Sequence, residues 1–167
     1  MQRLIAPLVV VAAVVIALVL TMGGGEEDTA GTAPDPAVPQ ISIPRLDGGD
    51  AYQLASLNEA KAPTLLWFWA PWCPVCNAEA PNIEALARDL EVVAIGGRDE
   101  VANGPAFVSQ HGLKTPTVLF DEAMTSWEHY RIVGQPGAVL LDRDGVERAR
   151  WSGPMDNAEV LAAANAL

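Results

Sequence analysis

Cysteine is nearly missing from this sequence: 167 residues contain only two, Cys73 and Cys76. So few excludes a fold stapled by several disulfides. A bridge between these two would close almost no loop, so it would add little stability. Histidine is equally scarce. His111 and His129 lie eighteen residues apart on different predicted elements, without the spacing of zinc ligands. We therefore expect no metal and no cofactor. Lys and Arg total 10 against 21 Asp and Glu, a formal net charge of −11. No basic run occurs, which excludes nucleic acid as a partner, because phosphate binding needs clustered cations. Internal repeats are absent as well.

Apolar residues are plentiful, at 50% of the chain, enough to fill one domain core. The first block, Leu4 to Met22, runs nineteen residues without a charge. That length crosses a hydrocarbon layer of about 30 Å as a helix. Arg3 precedes it, and Glu26, Glu27 and Asp28 follow it. The positive-inside rule then leaves the N-terminus in the cytoplasm and the remainder outside. A cleaved signal peptide, which would make the protein secreted, has a shorter apolar region and a small-x-small site; none follows closely here. Residues 1–22 are read as a membrane signal anchor. Residues 23–40, glycine-rich and then proline-rich with four acids, read as a flexible tether. The folded unit is expected over residues 41–167, in a compartment where disulfides persist.

That unit alternates strand and helix signals. "ISI" and "AYQLASL" flank the turn "DGGD" as an opening hairpin. "TLLWFW" (64–69) and "VVAI" (92–95) suit parallel strands buried on both faces. A helix is predicted over 74–90, with Ile83, Leu86, Ala87 and Leu90 on one stripe. "GPAFVSQHGL" is a further helix ended by Gly112, "TVLF" a strand and "EAMTSWEHY" a short helix. "GAVLLDRDGVERARW" reads as a hairpin turning at Asp144-Gly145, and "MDNAEVLAAANAL" as a closing helix capped by Asp156. The whole is an α/β domain with a mixed central sheet flanked by helices.

The cysteine pair falls where the first buried strand meets the first long helix. Pro74 suits the first helical position, and the free N–H groups of that turn favour a thiolate on Cys73. Cys76 follows nearly one turn later, placed to attack a mixed disulfide on Cys73. An exposed attacking sulfur and a buried resolving one make the geometry of thiol–disulfide exchange.

"FWAPWCPVC" followed by "NAEAP" resembles the active-site segment of the membrane-anchored thioredoxin-like family of TlpA, ResA and DsbE type. The resemblance covers about residues 41–167. Within it, "APTLLWFWAPWCPVCNAEAP" is most similar to the secreted DsbE-like proteins of actinobacteria. It implies a thioredoxin-like fold and Cys73 and Cys76 as the redox pair. It makes Pro81 a helix-bending proline, since it cannot donate to Asn77. It also implies that Pro136, in "VGQPG", is a cis-proline facing the disulfide. Glu79, three residues after the second cysteine, is the implied proton acceptor for Cys76. Trp72, Pro74, Val75 and Gln135 are the expected substrate contacts. Trp72 would offer a partner peptide apolar area beside the sulfur, whereas Trp69 reads as core.

Two positions depart from the family. Trp67 stands where many thioredoxins carry a buried Asp, so that proton route is absent, and Gln135 replaces the commoner Thr or Val. The implied partners are protein thiols and disulfides outside the cytoplasm and a membrane redox partner that recycles the pair. The direction of exchange draws on opposed signals. Val75 adds nothing that would stabilise a thiolate, which favours a reducing couple such as a cytochrome c maturation reductase. Resemblance to the actinobacterial proteins implies disulfide formation, and we expect a slight preference for oxidation. Other classes fit less well. A peroxiredoxin-type peroxidase needs a Thr where Ala70 stands, and a Sco-type copper carrier uses C-x-x-x-C. A redox-inactive binding module has no need of Cys73, Cys76 and Pro136 together.

Overall fold

The computed structural model describes residues 38–167. The expected anchor (1–22) and all but the end of the expected tether lie outside the described residues. Among the described residues no helix is long and apolar enough to cross a membrane.

Strand β1 (Ser42–Ile43) pairs antiparallel with β2 (Tyr52–Gln53), as the turn signal predicts. The pairing is shorter than the sequence pattern, because Leu54–Glu59 curls into a 3-10 turn rather than extending the strand. Leu54 and Leu57 are spaced three apart, and that turn buries both. Packing also starts before Ile41. Val38 is fully buried, and Asn58 clamps it: the Val38 N–H donates to Asn58 Oδ1 (2.9 Å), and Asn58 Nδ2 donates to Val38 O (3.0 Å).

The remaining elements are β3 (Thr64–Trp69), α1 (Pro74–Leu86), β4 (Glu91–Gly96), α2 (Gly104–His111), β5 (Thr117–Phe120), α3 (Thr125–His129), β6 (Gly137–Leu141), β7 (Glu147–Ser152) and α4 (Asn157–Asn165). The five-stranded sheet runs β5-β4-β3-β6-β7. Its β3, β4 and β5 are parallel, while β6 and β7 join antiparallel.

Every residue of β3 is buried, because the strand is central and both faces are covered. Successive side chains point to opposite faces. Leu65, Trp67 and Trp69 therefore pack with Cys76, Ala80 and Ile83 of α1, Phe107 of α2 and Val160 of α4. Leu66 and Phe68 pack on the other side, with Ile43, Leu54, Trp127, Tyr130 and Ile132.

Helix α1 stops at Leu86, four residues short of the predicted Leu90. Arg88 N–H bonds to Ala85 O and Asp89 N–H to Leu86 O, so the last turn tightens to i→i−3 bonds before the chain enters β4. Pro81 sits inside α1, where it leaves the carbonyl of Asn77 without its helical donor. Helix α2 ends at Gly112 in the left-handed conformation (φ 64°). The β6–β7 turn depends on Gly145 (φ 74°), where a Cβ would lie 2.6 Å from Val38 Cγ2. Asp156 caps α4 by accepting from the N–H groups of Ala158 and Glu159.

Candidate active site

The end of β3 and the start of α1 are joined by Ala70 to Cys73, and Cys73 is the N-cap of the helix. Pro74 occupies the first turn, where its missing N–H costs no hydrogen bond. The cap is a sulfur rather than a hydroxyl: Cys76 N–H donates to Cys73 Sγ at 3.2 Å. Cys76 Sγ, also a donor to Cys73 Sγ, lies 2.6 Å from it, and both cysteines are free thiols.

Cys73 is more enclosed than the expected exposed nucleophile. It is 3% accessible, against 0% for Cys76. The carbonyl of Gln135, just before the neighbouring strand β6, lies 3.8 Å from Cys73 Sγ. The Gln135–Pro136 bond is cis, Pro136 is buried and Gln135 half-buried. A cleft of about 310 Å³ runs beside this loop, lined among others by Val133, Gln135, Pro136, Arg150 and Trp151. Burial pushes the Cys76 thiol well up, and its hydrogen bond to Cys73 and the charge of Glu79 act in the same direction.

Glu79 is buried at 4% exposure, on the same face of the sheet as Cys76. Its carboxylate is held at both oxygens: Trp67 Nε1 donates to Oε2 (2.8 Å) and the Met155 N–H to Oε1 (2.7 Å). Burial raises its pKa, and these two donors offset part of that rise. Trp67, which stands in place of a family Asp, thus serves as the donor that fixes a carboxylate borne by the helix.

The remaining expected contacts surround Cys73 at the surface. Trp72 is 56% exposed and Val75 42%, and Pro74 is exposed. The Trp72 ring is nevertheless held, because its Nε1–H donates to Arg98 O at 3.0 Å. Trp69 is fully buried, stacked on Phe107 with centroids 4.1 Å apart. His111 faces Asn77 Oδ1 at 2.8 Å and packs on Phe107. The structure thus brings Cys73, Cys76, Gln135 and Pro136 together, with Glu79 behind Cys76 and Trp72, Pro74 and Val75 in front. Sequence reasoning missed Met155 and Arg98 and assigned Trp67 no role. A buried Trp usually finds a partner for its N–H, and that tendency is the one available signal for Trp67, although the indoles of Trp69 and Trp127 find none.

Residues 34–150 match the AhpC/TSA family. The chain belongs to that family. It is 35% identical over 150 residues to the soluble secreted antigen MPT53 of Mycobacterium tuberculosis, covering 86% of this chain and 83% of that protein. With the thiol:disulfide interchange protein DsbE of Escherichia coli K12 it shares 29% identity over 160 residues, 92% of this chain and 86% of DsbE. Among solved structures it resembles a secreted M. tuberculosis disulfide oxidoreductase homologous to E. coli DsbE, with a TM-score of 0.67 and 32% identity. That match covers 81% of this chain and 100% of the other. MTB dsbF gives a TM-score of 0.69 at 32% identity, covering 76% and 94%. As an AhpC/TSA member with a thioredoxin-like fold and a DsbE-like cysteine pair, the chain is a thiol–disulfide oxidoreductase.

Proposed function

We propose that the chain exchanges disulfides with protein substrates outside the cytoplasm, with Cys73 attacking, Cys76 resolving, and a slight preference for disulfide formation. The observation that carries this reading is the asymmetry of the pair. Cys73 Sγ caps the helix and touches the Gln135 carbonyl, whereas Cys76 lies wholly behind it. Of the two sulfurs, Cys73 is thus the one a client meets first.

In the oxidising direction a client thiolate attacks Cys73 of the Cys73–Cys76 disulfide. The S–S bond breaks, and Cys76 leaves as a thiolate and is protonated. The client's second thiolate then attacks its own sulfur in the mixed disulfide and expels Cys73. Two client thiols become a disulfide, and two electrons and two protons pass to the Cys73–Cys76 pair. Glu79 serves the buried Cys76, supplying the proton as Cys76 leaves and taking it when Cys76 attacks. Its raised pKa keeps the carboxyl able to do both nearer neutral pH. An extended client segment lies along the backbone of Gln135 and buries apolar area on Trp72, Pro74 and Val75.

Residues 4–22 hold this domain at the outer membrane face, where a membrane redox partner restores the disulfide. The secreted and DsbE-type relatives support an extracytoplasmic site of action. The experiment is turnover of a reduced, unfolded two-cysteine protein by the oxidised chain. Disulfide formation matched by loss of the Cys73–Cys76 disulfide supports the proposal; no transfer overturns it.

A further inference from the structure

Arg98 follows Gly97 at the end of β4, in neither the redox turn nor the Pro136 loop, yet it is bonded to both. Its backbone is left-handed (φ 58°), unusual for a residue with a side chain. Its carbonyl accepts the Trp72 indole N–H at 3.0 Å, and its N–H meets Met124 Sδ at 3.2 Å. The side chain runs the other way, with Cζ 5.4 Å from the centroid of Trp127, and Nη2 donates to the carbonyl of Val133 at 3.0 Å. Gly97 makes room for this course, since a Cβ there would sit 2.7 Å from Trp127 Nε1 and 2.9 Å from Met124 Sδ.

The two tied segments flank Cys73. Trp72 is its sequence neighbour, and Val133 lies two residues before Gln135, whose carbonyl touches Cys73 Sγ. Trp72 (56% exposed), Val75 (42%) and Val133 (89%) are three of the six large exposed apolar residues among the described residues. Val133 itself buries little that would hold it at one distance from Trp72, and Arg98 supplies a direct tie between the two segments.

We infer that Arg98 is a positioning residue that fixes the spacing between Trp72 and the Val133–Pro136 loop, and so sets how well an extended protein client, rather than a small thiol, fits over Cys73. This rests on the proposed exchange with protein substrates. Arg98 touches neither sulfur, so it acts on client binding rather than on the bond-making steps.

The test measures oxidation of a two-cysteine dithiol peptide by the full chain, with glutathione disulfide as terminal oxidant and dithiothreitol as the small-thiol comparison. Arg98→Met keeps an unbranched apolar stem and the main-chain bond to Trp72 but loses the guanidinium, and with it the donor to Val133 and the cation–π contact with Trp127. We expect KM for the peptide to rise about fivefold, the worth of one ordinary hydrogen bond, with kcat within twofold. Arg98→Lys restores a cationic donor on the same side, and should recover most of the methionine variant's rise in KM. Trp72→Phe keeps a ring and loses the N–H. If both ties fix one spacing, the double variant raises KM by less than the product of the single effects. A KM unmoved by Arg98→Met, a lysine variant as impaired as the methionine one, or strictly multiplicative effects would each overturn the inference. A wild-type chain that oxidises neither peptide nor dithiothreitol instead defeats the proposed disulfide-forming exchange, which separates the two failures.

Discussion

The indole N–H of Trp67 donates to Glu79 Oε2 at 2.8 Å, linking the central strand to the helix that carries Cys76 and is capped by Cys73. With the Met155 N–H on the other oxygen, it holds a carboxyl group in the core behind Cys76.

Glu79→Gln is expected to slow the step in which Cys76 attacks, by roughly ten- to a hundredfold, while Cys73 still forms mixed disulfides. Stopped-flow tryptophan fluorescence across pH ~5–9 follows both steps. Equal rates in wild type and variant over that range would reduce Glu79 to a structural role.

The same residue predicts a pH-dependent stability. Its folded pKa lies above the ordinary glutamate value of 4.5, so the native state holds the proton more tightly than the unfolded chain does. Its stabilising contribution is complete below that ordinary value and is lost as pH rises through the folded pKa. Glutamine cannot titrate. Denaturant melts should therefore show the variant gaining on wild type as pH rises through this window, on top of a pH-independent cost for one mismatched donor. A constant difference would contradict the raised pKa.

Cys76→Ser should accumulate mixed disulfides through Cys73, since the resolving sulfur is gone. In the reduced wild type, iodoacetamide followed by peptide mapping should find Cys73 modified first, because burial suppresses the Cys76 thiolate and blocks the reagent. Earlier labelling of Cys76 would reverse the roles.

The direction of exchange is decided by the reduction potential of the pair. Equilibration in glutathione buffers should give a value near or above about −200 mV for a disulfide-forming protein. A value near about −270 mV, that of thioredoxin, would favour the cytochrome c maturation reductase.

Gly96→Ala tests the packing at the end of β4. A Cβ there would lie 2.6 Å from Phe120 Cδ2 and 2.8 Å from Trp69 Cζ2, and both rings are buried. The expected loss is about 1–3 kcal/mol in chemical denaturation. A change below about 0.5 kcal/mol would mean that the rings yield freely.

What could be read from the sequence was local. The apolar run of β3, the cysteine spacing, Pro74 and Gly112 each announce their element through periodicity or turn chemistry, and the structure has those elements. Glu79 was visible as a position, but its setting was not. One of its donors comes from a backbone N–H 76 residues away, and a backbone group carries no residue-type signal. Arg98 escaped for a related reason, because it works partly through its own carbonyl and N–H. Val38 was hidden among prolines and glycines, which read as a tether although the side chain has a socket under Gly145.

The alternation of side chains along β3 has a consequence for how such a protein can diverge. Odd-numbered positions face the helix with Cys76 and Glu79; even-numbered ones face Trp127, Tyr130 and Ile132, which support the loop leading to Pro136. The helix with Cys76 and the loop leading to Pro136 are thus supported from opposite sides of one backbone layer. Substitutions among Phe68, Trp127, Tyr130 and Ile132 can shift that loop while the packing around Cys76 stays intact.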